Sequence, residues 1–400
     1  MVRAGGDGTP TLPEAASLGG HTARQLLRLC EVAGLDGSDA AAYARVLLDA
    51  LGPAAERPLD LPPPHLSFLS DDHTPVEFSL SFVPDAAPTL RVLLEPGCGA
   101  GTLARNGRTG LRFLRETARR WAFPTDRLDE LEDLFFPAAP EGPLALWCAL
   151  ELRPGGVPRV KAYLNPAARG ADRAADTVRQ ALVRLGHGRA FAALPEGDRH
   201  LFLALDLGDW DAPRVKVYLA HQDLSATEAG ALCRTAGGPP AQETETFFRI
   251  ASGLGPRDDA DTGPGRRPTR RPVQSCHAFT ETATGRPSGF TLHVPVRDYA
   301  AHDGEALARA SALLHRHGID DGVLHEATRA LTARRPEDGV GLVAYLSAAH
   351  QDGHPPRVTT YLSCEAYHVR PPAPLRAGRP AVARVTHQVL SPRSAAGSAG

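Results

Sequence analysis

The chain is poor in lysine, in methionine and in paired cysteines, and each deficiency narrows its interpretation. Among 44 lysine and arginine residues, only Lys161 and Lys216 are lysines, and Met1 is the only methionine. The 6 cysteines are scattered singly without a CxxC pair, which argues against a zinc site and against a disulfide framework. We therefore expect a reduced, cytoplasmic protein.

Long apolar runs and an excess of one charge are also missing. No run of about eighteen apolar residues occurs, so we expect no membrane span. The N-terminal segment lacks the apolar core of a secretory signal. A net charge of -2 argues against a nucleic-acid partner. The hydrophobic content of 42% is sufficient for a sizeable core.

The two lysines lie in nearly the same local sequence, PRVKAYL around Lys161 and PRVKVYL around Lys216. Three other segments, PTLRVLLEP, PSGFTLHVP and PRVTTYL, follow the same pattern. In these three segments the position of the lysine is taken by Arg91, Thr291 and Thr359. The position of the tyrosine is taken by Leu93, His293 and Tyr361. The chain thus repeats one short motif along most of its length.

Each copy of the motif reads as the second strand of a β-hairpin. Polar and apolar residues alternate, and a second alternating segment precedes each copy across a short turn rich in Pro and Gly. Helix-like segments follow the hairpins. Five strand-strand-helix units predict an α+β fold in which a ten-stranded antiparallel barrel is surrounded by helices.

The composition also suggests boundaries along the chain. We expect residues 1–60 to form a helical segment packed on the barrel and residues 61–370 to form the barrel itself. Within it, residues 253–272 are rich in Gly, Pro and charge, which predicts a flexible loop. Residues 371–400 are rich in Pro, Ala and Ser, which predicts a disordered tail.

Alternation places the polar and aromatic residues of the motif on one face. Residues two apart in a strand point the same way, so Lys161 lies with Tyr163 and Lys216 lies with Tyr218. The residues between them are mostly apolar and would pack under the helices. The polar set would then line the barrel as a ligand chamber. The alternative is that these residues cover the solvated face of an ordinary sheet.

Such a chamber suits the ionisation of an allylic diphosphate. Arg91, Lys161, Arg214 and Lys216 could converge on one diphosphate without a metal ion, since arginine and lysine both bind phosphate strongly. Tyrosine rings beside them would shield a carbocation from water. Glu77, in the first strand, could accept the N–H of an indole. Glu77 could equally be exposed or cap a turn.

Six segments resemble the motifs of the tryptophan dimethylallyltransferase family. In order, between Arg57 and Arg370, they are SFLSDDHTPVEFSLSF, RVLLEPGC, RVKAYLNP, RVKVYL, GFTLHVPVRDY and TYLSCEAY. The resemblance implies the barrel known as the ABBA or PT fold. It also implies dimethylallyl diphosphate and L-tryptophan as substrates, with no metal and no cofactor. The likeness is greatest to bacterial enzymes that prenylate the six-position of tryptophan.

The resemblance also implies roles for individual residues. Glu77 would bind the indole N–H, and Arg91, Lys161, Arg214 and Lys216 would bind diphosphate. The tyrosines that would bond phosphate and shield the cation are Tyr163, Tyr218 and Tyr361.

The chain departs from the family pattern in two places. Fungal members carry glutamine and tyrosine where Thr291 and His293 stand here, so this part of the chamber wall, which includes Thr359, is altered. The third strand has Trp147 and Cys148 where fungal members have a lysine proposed as the base for four-position attack. The base is therefore unassigned, and Glu77 and water are the candidates.

Other functions fit the sequence less well. LDELEDLF, which contains Asp129, Glu130 and Asp133, superficially matches the aspartate-rich helices of magnesium-dependent prenyl synthases. GCGAGT lacks the lysine of a P-loop and the third glycine of a dinucleotide fingerprint. A barrel that binds an aromatic or anionic ligand without catalysis is an alternative. So is the same chemistry on an indole peptide, an indolactam or a phenol such as tyrosine.

Overall fold

A computed structural model describes residues 16–208, 214–255 and 271–372. The predicted disordered tail lies outside the described residues, apart from its first two residues, and so does most of the predicted loop at 253–272. In the described part, no helix is both long and apolar enough to cross a bilayer.

Ten antiparallel strands form the centre of the fold. In chain order they are β1 (Val76–Phe82), β2 (Thr89–Leu94), β3 (Leu146–Glu151), β4 (Arg159–Leu164), β5 (Arg199–Leu207), β6 (Val215–His221), β7 (Val273–Phe279), β8 (Gly289–Val294), β9 (Val343–Gln351) and β10 (Arg357–Ser363). Each strand pairs with its neighbours in the chain, and β1 pairs with β10 to close the barrel. The predicted ten-stranded barrel is confirmed.

The sequence explains the hairpins between the strands. The turn from β3 to β4 contains Gly155 and Gly156, both with positive φ (92° and 69°), a conformation that glycine adopts without steric cost. The turn fixes a register in which Lys161 lies opposite Ala149 of β3. On the other side of β4, Lys161 lies opposite Asp206 of β5.

Eleven helices surround the described barrel. They are α1 (Leu18–Val32), α2 (Gly37–Leu51), α3 (Leu103–Trp121), α4 (Asp126–Asp129), α5 (Glu132–Phe135), α6 (Ala174–Arg184), α7 (Ala226–Gly230), α8 (Ala241–Ser252), α9 (Val296–Tyr299), α10 (Asp303–Arg316) and α11 (Gly322–Leu331). Short 3₁₀ helices lie at Gly52–Glu56, Pro166–Arg169, Ala171–Arg173, Ala190–Ala193 and Pro336–Asp338.

The main hydrophobic core lies between the barrel and these helices. Ala162, Val217 and Leu292, the apolar residues that alternate with the motif's polar residues, all belong to it and are fully buried. On α10, Ala306, Ala310 and Leu313 follow the helical period and are buried in the same layer. The outer face of the barrel is therefore the apolar one.

Helix α1 is tied to both the helical layer and the barrel. It packs on α2 and α11. Its buried Gln25 donates from Nε2 to the backbone oxygens of Leu331 and Cys364, each at 2.9 Å. Leu331 is the last residue of α11, and Cys364 directly follows the last residue of β10. These bonds therefore hold α11 and the end of β10 against α1.

Two segments that resemble ligand-binding motifs have structural roles. Gly97 of GCGAGT has φ 80°, and a Cβ there would meet the Asn106 oxygen of α3 at 2.8 Å, so close packing requires glycine. In LDELEDLF, Asp129 pairs with Arg115 at 2.6 Å and Asp133 pairs with Arg184. These carboxylates therefore neutralise neighbouring arginines on the outside of the barrel.

Candidate active site

The inner face of the barrel is polar and charged at one end. Arg91, Lys161, Arg214 and Lys216 all lie at this end, on or beside β2, β4 and β6. The side chains of Arg91, Lys161 and Arg214 are 22%, 18% and 28% exposed to solvent. Water therefore reaches part of each of these side chains at this end of the barrel.

Two carboxylates that the sequence did not single out lie among these cations. Asp206 of β5 lies between Lys161, whose Nζ is 3.0 Å from Oδ1, and Arg214, whose Nε is 2.5 Å from Oδ2. Glu151 of β3 accepts from Arg91, with Nη2 at 2.8 Å. Arg91, Lys161 and Arg214 are therefore held in place by ion pairs with carboxylates of neighbouring strands.

The chamber changes the ionisation of these groups. Burial opposes ionisation of Asp206, but Lys161, Arg214 and Lys216 together lower its pKa to about 2. Burial and then the charge of Lys161 lower the pKa of Lys216 well below its usual value. An anion beside Lys216 would oppose both effects and favour its charged form.

Arg357, at the start of β10, is another cation in this half of the barrel. Burial, and then the nearby charge of Arg91, lower its pKa to about 10. Its place in PRVTTYL is the place of Arg214 in PRVKVYL, so the repeat itself contained the signal for this residue.

Aromatic rings form a continuous belt in the middle of the barrel. Tyr163 and Tyr218 lie 5.7 Å apart between ring centroids, and His293 lies 5.7 Å beyond Tyr218. Tyr361 follows at 5.8 Å from His293, and Tyr345 at 6.4 Å from Tyr361. The belt brings together the three tyrosines singled out by the sequence and adds Tyr345, which was not.

The altered wall predicted at Thr291, His293 and Thr359 lies next to this belt. All three side chains are buried, and the Thr359 hydroxyl donates to the Ser81 hydroxyl at 3.1 Å. Burial, and then the charge of Lys216, lower the pKa of His293 to about 3. His293 is therefore a neutral imidazole in the belt at physiological pH.

The opposite end of the barrel is largely apolar and contains Glu77. An inner hydrophobic cluster, separate from the outer core, includes Leu69, Trp147 and Phe202. Glu77 of β1 is 5% exposed, and burial raises its pKa to about 7 against the opposing effect of Arg297 and Arg271. A carboxylate beside an apolar cluster can accept one N–H from a flat aromatic ligand.

The charges of two arginines from outside the repeats, Arg297 and Arg271, act on Glu77. Arg297 of α9 is 3.0 Å from Asp71, and its guanidinium lies 4.8 Å from the centre of the Tyr345 ring. Arg271 lies 4.0 Å from the Phe68 ring centre and donates to the Phe68 oxygen at 2.9 Å. These contacts hold the segment around Phe68 and Asp71 over this end of the barrel.

A second buried carboxylate, Glu95, lies just past the end of β2. Its Oε2 accepts from the Ser67 hydroxyl at 2.5 Å, and burial raises its pKa to about 7. The Trp147 side chain also faces this carboxylate and opposes the rise. Glu95 therefore helps to fix the wall of the apolar end, where Trp147 stacks near Phe68 at 6.3 Å.

Residues 16–208, 214–255 and 271–372 contain no cluster of metal-ligating side chains. No group of three or more His, Cys, Asp or Glu side chains in these ranges could hold a metal ion. The charged end of the chamber instead presents arginine and lysine.

The chain resembles known proteins over most of its length. Residues 21–326 match the model of the tryptophan dimethylallyltransferase family. The prenyltransferase PriB, solved in a ternary complex with L-tryptophan and dimethylallyl thiolodiphosphate, is 61% identical. The match covers 90% of this chain and 99% of PriB, with a TM-score of 0.86.

Two tryptophan-modifying enzymes with named positions also match. The 5-dimethylallyltryptophan synthase of Streptomyces coelicolor is 62% identical, with 89% of this chain and 100% of that chain covered and a TM-score of 0.84. The 6-dimethylallyltryptophan synthase of Micromonospora olivasterospora is 40% identical, with 89% and 99% covered and a TM-score of 0.81. Similarity in fold thus extends to enzymes of either position.

Proposed function

The chain belongs to the tryptophan dimethylallyltransferase family, and we propose that it transfers a dimethylallyl group from dimethylallyl diphosphate to the indole ring of L-tryptophan. One observation carries the proposal. A cluster of cations, a belt of aromatic rings and a buried carboxylate follow one another along the axis of a single barrel. This is the order in which a leaving diphosphate, an allyl cation and an indole N–H would need them.

The charged end would receive the diphosphate. Arg91, Lys161, Arg214, Lys216 and Arg357 would donate to its oxygens, each charge-assisted hydrogen bond contributing about 1.5–3 kcal/mol. The bonds strengthen as the carbon–oxygen bond breaks and negative charge moves onto the diphosphate. The cations therefore stabilise the transition state of ionisation.

The aromatic belt would receive the cation. A cation over a desolvated ring is stabilised by about 2 kcal/mol. Tyr163, Tyr218 and Tyr361 present rings to the same space, and the neutral His293 adds a face without adding a repelling charge. The rings also exclude the water that would convert the cation into an alcohol.

Glu77 would hold the acceptor. Ionised Glu77 would accept the indole N–H, which fixes the ring and pushes electron density into it. Ring carbon attack then forms a carbon–carbon bond, and loss of the ring proton restores aromaticity. Glu77 and water are the candidates for the base.

The cofactor requirement follows from the charged end. The cations there supply the charge that magnesium supplies in other prenyl-transferring enzymes. We propose that the reaction uses no metal and no organic cofactor, with dimethylallyl diphosphate acting as a substrate.

The six-position is our proposal for the site of attachment, as the sequence motifs imply. The five-position is the second candidate, because the 5-dimethylallyltryptophan synthase shares 62% identity with this chain and the 6-dimethylallyltryptophan synthase 40%. Both positions lie on the benzene ring of indole, on the side away from the amino-acid chain.

Incubation with dimethylallyl diphosphate and L-tryptophan tests the proposal. We expect a product heavier by one dimethylallyl group, and NMR of this product assigns the position. Unchanged mass with tryptophan, indole peptides, an indolactam and tyrosine would contradict the proposal and favour a ligand-binding barrel. Competition among these acceptors would show whether tryptophan is preferred.

A further inference from the structure

Asp206 is a buried carboxylate between two cations that would bind the donor. It faces Lys161 across the β4–β5 pair, and its backbone N–H donates to the Arg214 oxygen at 3.1 Å. Its side chain contacts both cations, with Oδ1 3.0 Å from Lys161 Nζ and Oδ2 2.5 Å from Arg214 Nε. Asp206 thus neutralises cations that have been placed to contact phosphate.

The ion pair with Asp206 places one anion on the Lys161 ammonium before any diphosphate binds. Oδ1 of Asp206 is buried, and the Lys161 ammonium is its ion-pair partner at 3.0 Å. An ammonium has three donors, and a carboxylate and a phosphate oxygen are both acceptors only. Asp206 and a diphosphate would therefore compete for the same N–H groups.

The balance of charge makes this competition consequential. Arg91, Lys161, Arg214, Lys216 and Arg357 lie at this end of the described barrel, together with the more exposed Arg159, which also pairs with Glu151 at 3.3 Å. Two carboxylates, Glu151 and Asp206, face them through ion pairs. Without the carboxylates, the cations would bind the diphosphate product with very high affinity. The carboxylates lower this affinity and still leave enough positive charge for diphosphate to bind.

We propose that Asp206 is a counter-ion that competes with diphosphate for Lys161 and Arg214, and so sets how readily the diphosphate product leaves the barrel. This inference rests on the proposed function. Lys161 and Arg214 exchange Asp206 for phosphate oxygens when the donor binds, and they return to Asp206 after the transfer. Asp206 is a positioning residue in this account, since it acts on the reaction through the two cations.

Calorimetry with inorganic diphosphate, in the absence of any acceptor, tests the inference on Asp206→Asn. The variant keeps the shape of the side chain and removes its charge. Opposite charges a few ångströms apart interact strongly at low effective dielectric, so we expect the dissociation constant of diphosphate to fall about tenfold. Steady-state kcat should fall as well, while the single-turnover rate of prenyl transfer is retained.

Matched variants separate charge from structure. Asp206→Glu keeps the charge and should bind diphosphate within about threefold of the wild type. Asp206→Ser is a second neutral variant should Asp206→Asn not fold. Glu132→Gln, on the outside of the barrel where Glu132 pairs with Arg115, should change nothing.

The outcomes distinguish this inference from the proposed function. Wild-type protein that binds diphosphate, with folded neutral variants that bind it equally or more weakly, would overturn the counter-ion role and leave the proposed function in place. Wild-type protein that binds no diphosphate would overturn both.

Discussion

Two inward-facing carboxylates, Asp206 and Glu77, have opposite tendencies to ionise because their neighbours differ. Asp206 touches two cations, and its pKa falls to about 2. Glu77 lies at the apolar end, and burial raises its pKa to about 7 although Arg297 and Arg271 oppose the rise. Asp206 is thus a permanent charge, whereas Glu77 changes its protonation close to neutral pH.

Glu77 gives the reaction a pH dependence of predictable sign. Its proton is lost as the pH rises through about 7, and only the ionised form accepts the indole N–H strongly. We expect kcat/KM for tryptophan to fall as the pH is lowered from 8 to about 6. Glu77→Gln should remove this acidic limb and reduce kcat/KM about 10- to 100-fold.

The same variant should not weaken the fold. Because the pKa of Glu77 is raised in the folded protein, its ionisation costs stability as the pH rises from its ordinary range toward 7. Glu77→Gln should therefore melt at the same or a higher temperature at pH 8. A lower melting temperature together with equal loss of donor and acceptor binding would mean that Glu77 is structural.

The two lysines give a second residue-scale prediction. Lys161→Ala and Lys216→Ala should each lower the single-turnover rate about 10- to 100-fold, since each variant removes a charge-assisted hydrogen bond to the leaving group. Rapid-quench measurement of product gives this rate. Arg335→Ala is the control, because Arg335 is 78% exposed on its side chain. Near-normal rates for the lysine variants would show that they do not contact the donor.

At the scale of the element, alternation along a strand separates function from stability. In β6, Tyr218 faces the aromatic belt, and its neighbour Leu219 lies in the outer core and is 1% exposed. Adjacent residues of one strand therefore serve opposite sides of the barrel. Substitutions at the two positions should have different consequences.

Tyr218→Leu should impair protection of the cation. The leucine keeps an apolar side chain but removes the ring, so water should capture a larger share of the ionised donor. The ratio of dimethylallyl alcohol to prenylated tryptophan measures this share and should rise several-fold. This rise corresponds to a loss of about one kcal/mol or more in the preference for tryptophan over water as the nucleophile.

Leu219→Ala should act on stability instead. Removing a buried leucine costs about 2–5 kcal/mol and should lower the melting temperature clearly. The ratio of alcohol to product should stay at the wild-type value in the protein that remains folded. A changed ratio for Leu219→Ala, or an unchanged one for Tyr218→Leu, would contradict the assignment of faces.

The elements that the sequence predicted well are those with local signals. The hairpins have alternating residues and glycine turns, and α10 has a clear helical period. The strand-strand-helix pattern predicts one helix after each hairpin, so additional helices such as α8 and α11 lie outside the prediction. The apolar positions of α8, which include Phe247, Phe248 and Ala251, nevertheless follow a helical period and are buried.

Most of the predicted site residues lie in the repeat, whereas Glu77 lies outside it, and Arg357 was missed although it lies within it. Lys161, Lys216 and their tyrosines were visible because the motif recurs. Asp206 was missed because its importance depends on cross-strand register, which brings it opposite Lys161. Arg297 was missed because it lies just beyond the repeated strand, in a short helix, and its charge acts on Glu77 only in the folded barrel.

At the scale of the whole molecule, the barrel separates two chemistries along one axis. Helices cover its apolar outer face, so the inner face is free to carry charge. Cations gather at one end, rings in the middle, and Glu77 with an apolar cluster at the other. Under the proposed function, the cations would stabilise the leaving diphosphate while the rings stabilise the allyl cation.

Independence from metal is therefore a property expected of the assembled barrel. Turnover in the presence of EDTA should stay within about twofold of turnover with added magnesium, because the arginine and lysine side chains supply the positive charge. Initial rates of product formation measure this. Loss of activity in EDTA that only magnesium restores would contradict metal independence.

The ionisation of the donor inside this chamber is the central claim, and one isotope measurement tests it most directly. Dimethylallyl diphosphate with heavy oxygen in its ester bridge is incubated with the enzyme, EDTA and a fluorinated tryptophan that captures the cation slowly. If the donor ionises and recombines in the barrel, heavy oxygen moves from the ester bridge to non-bridging positions of the α-phosphate in the recovered donor. Product that accumulates while the label stays in the bridge would contradict a free cation held by the aromatic belt.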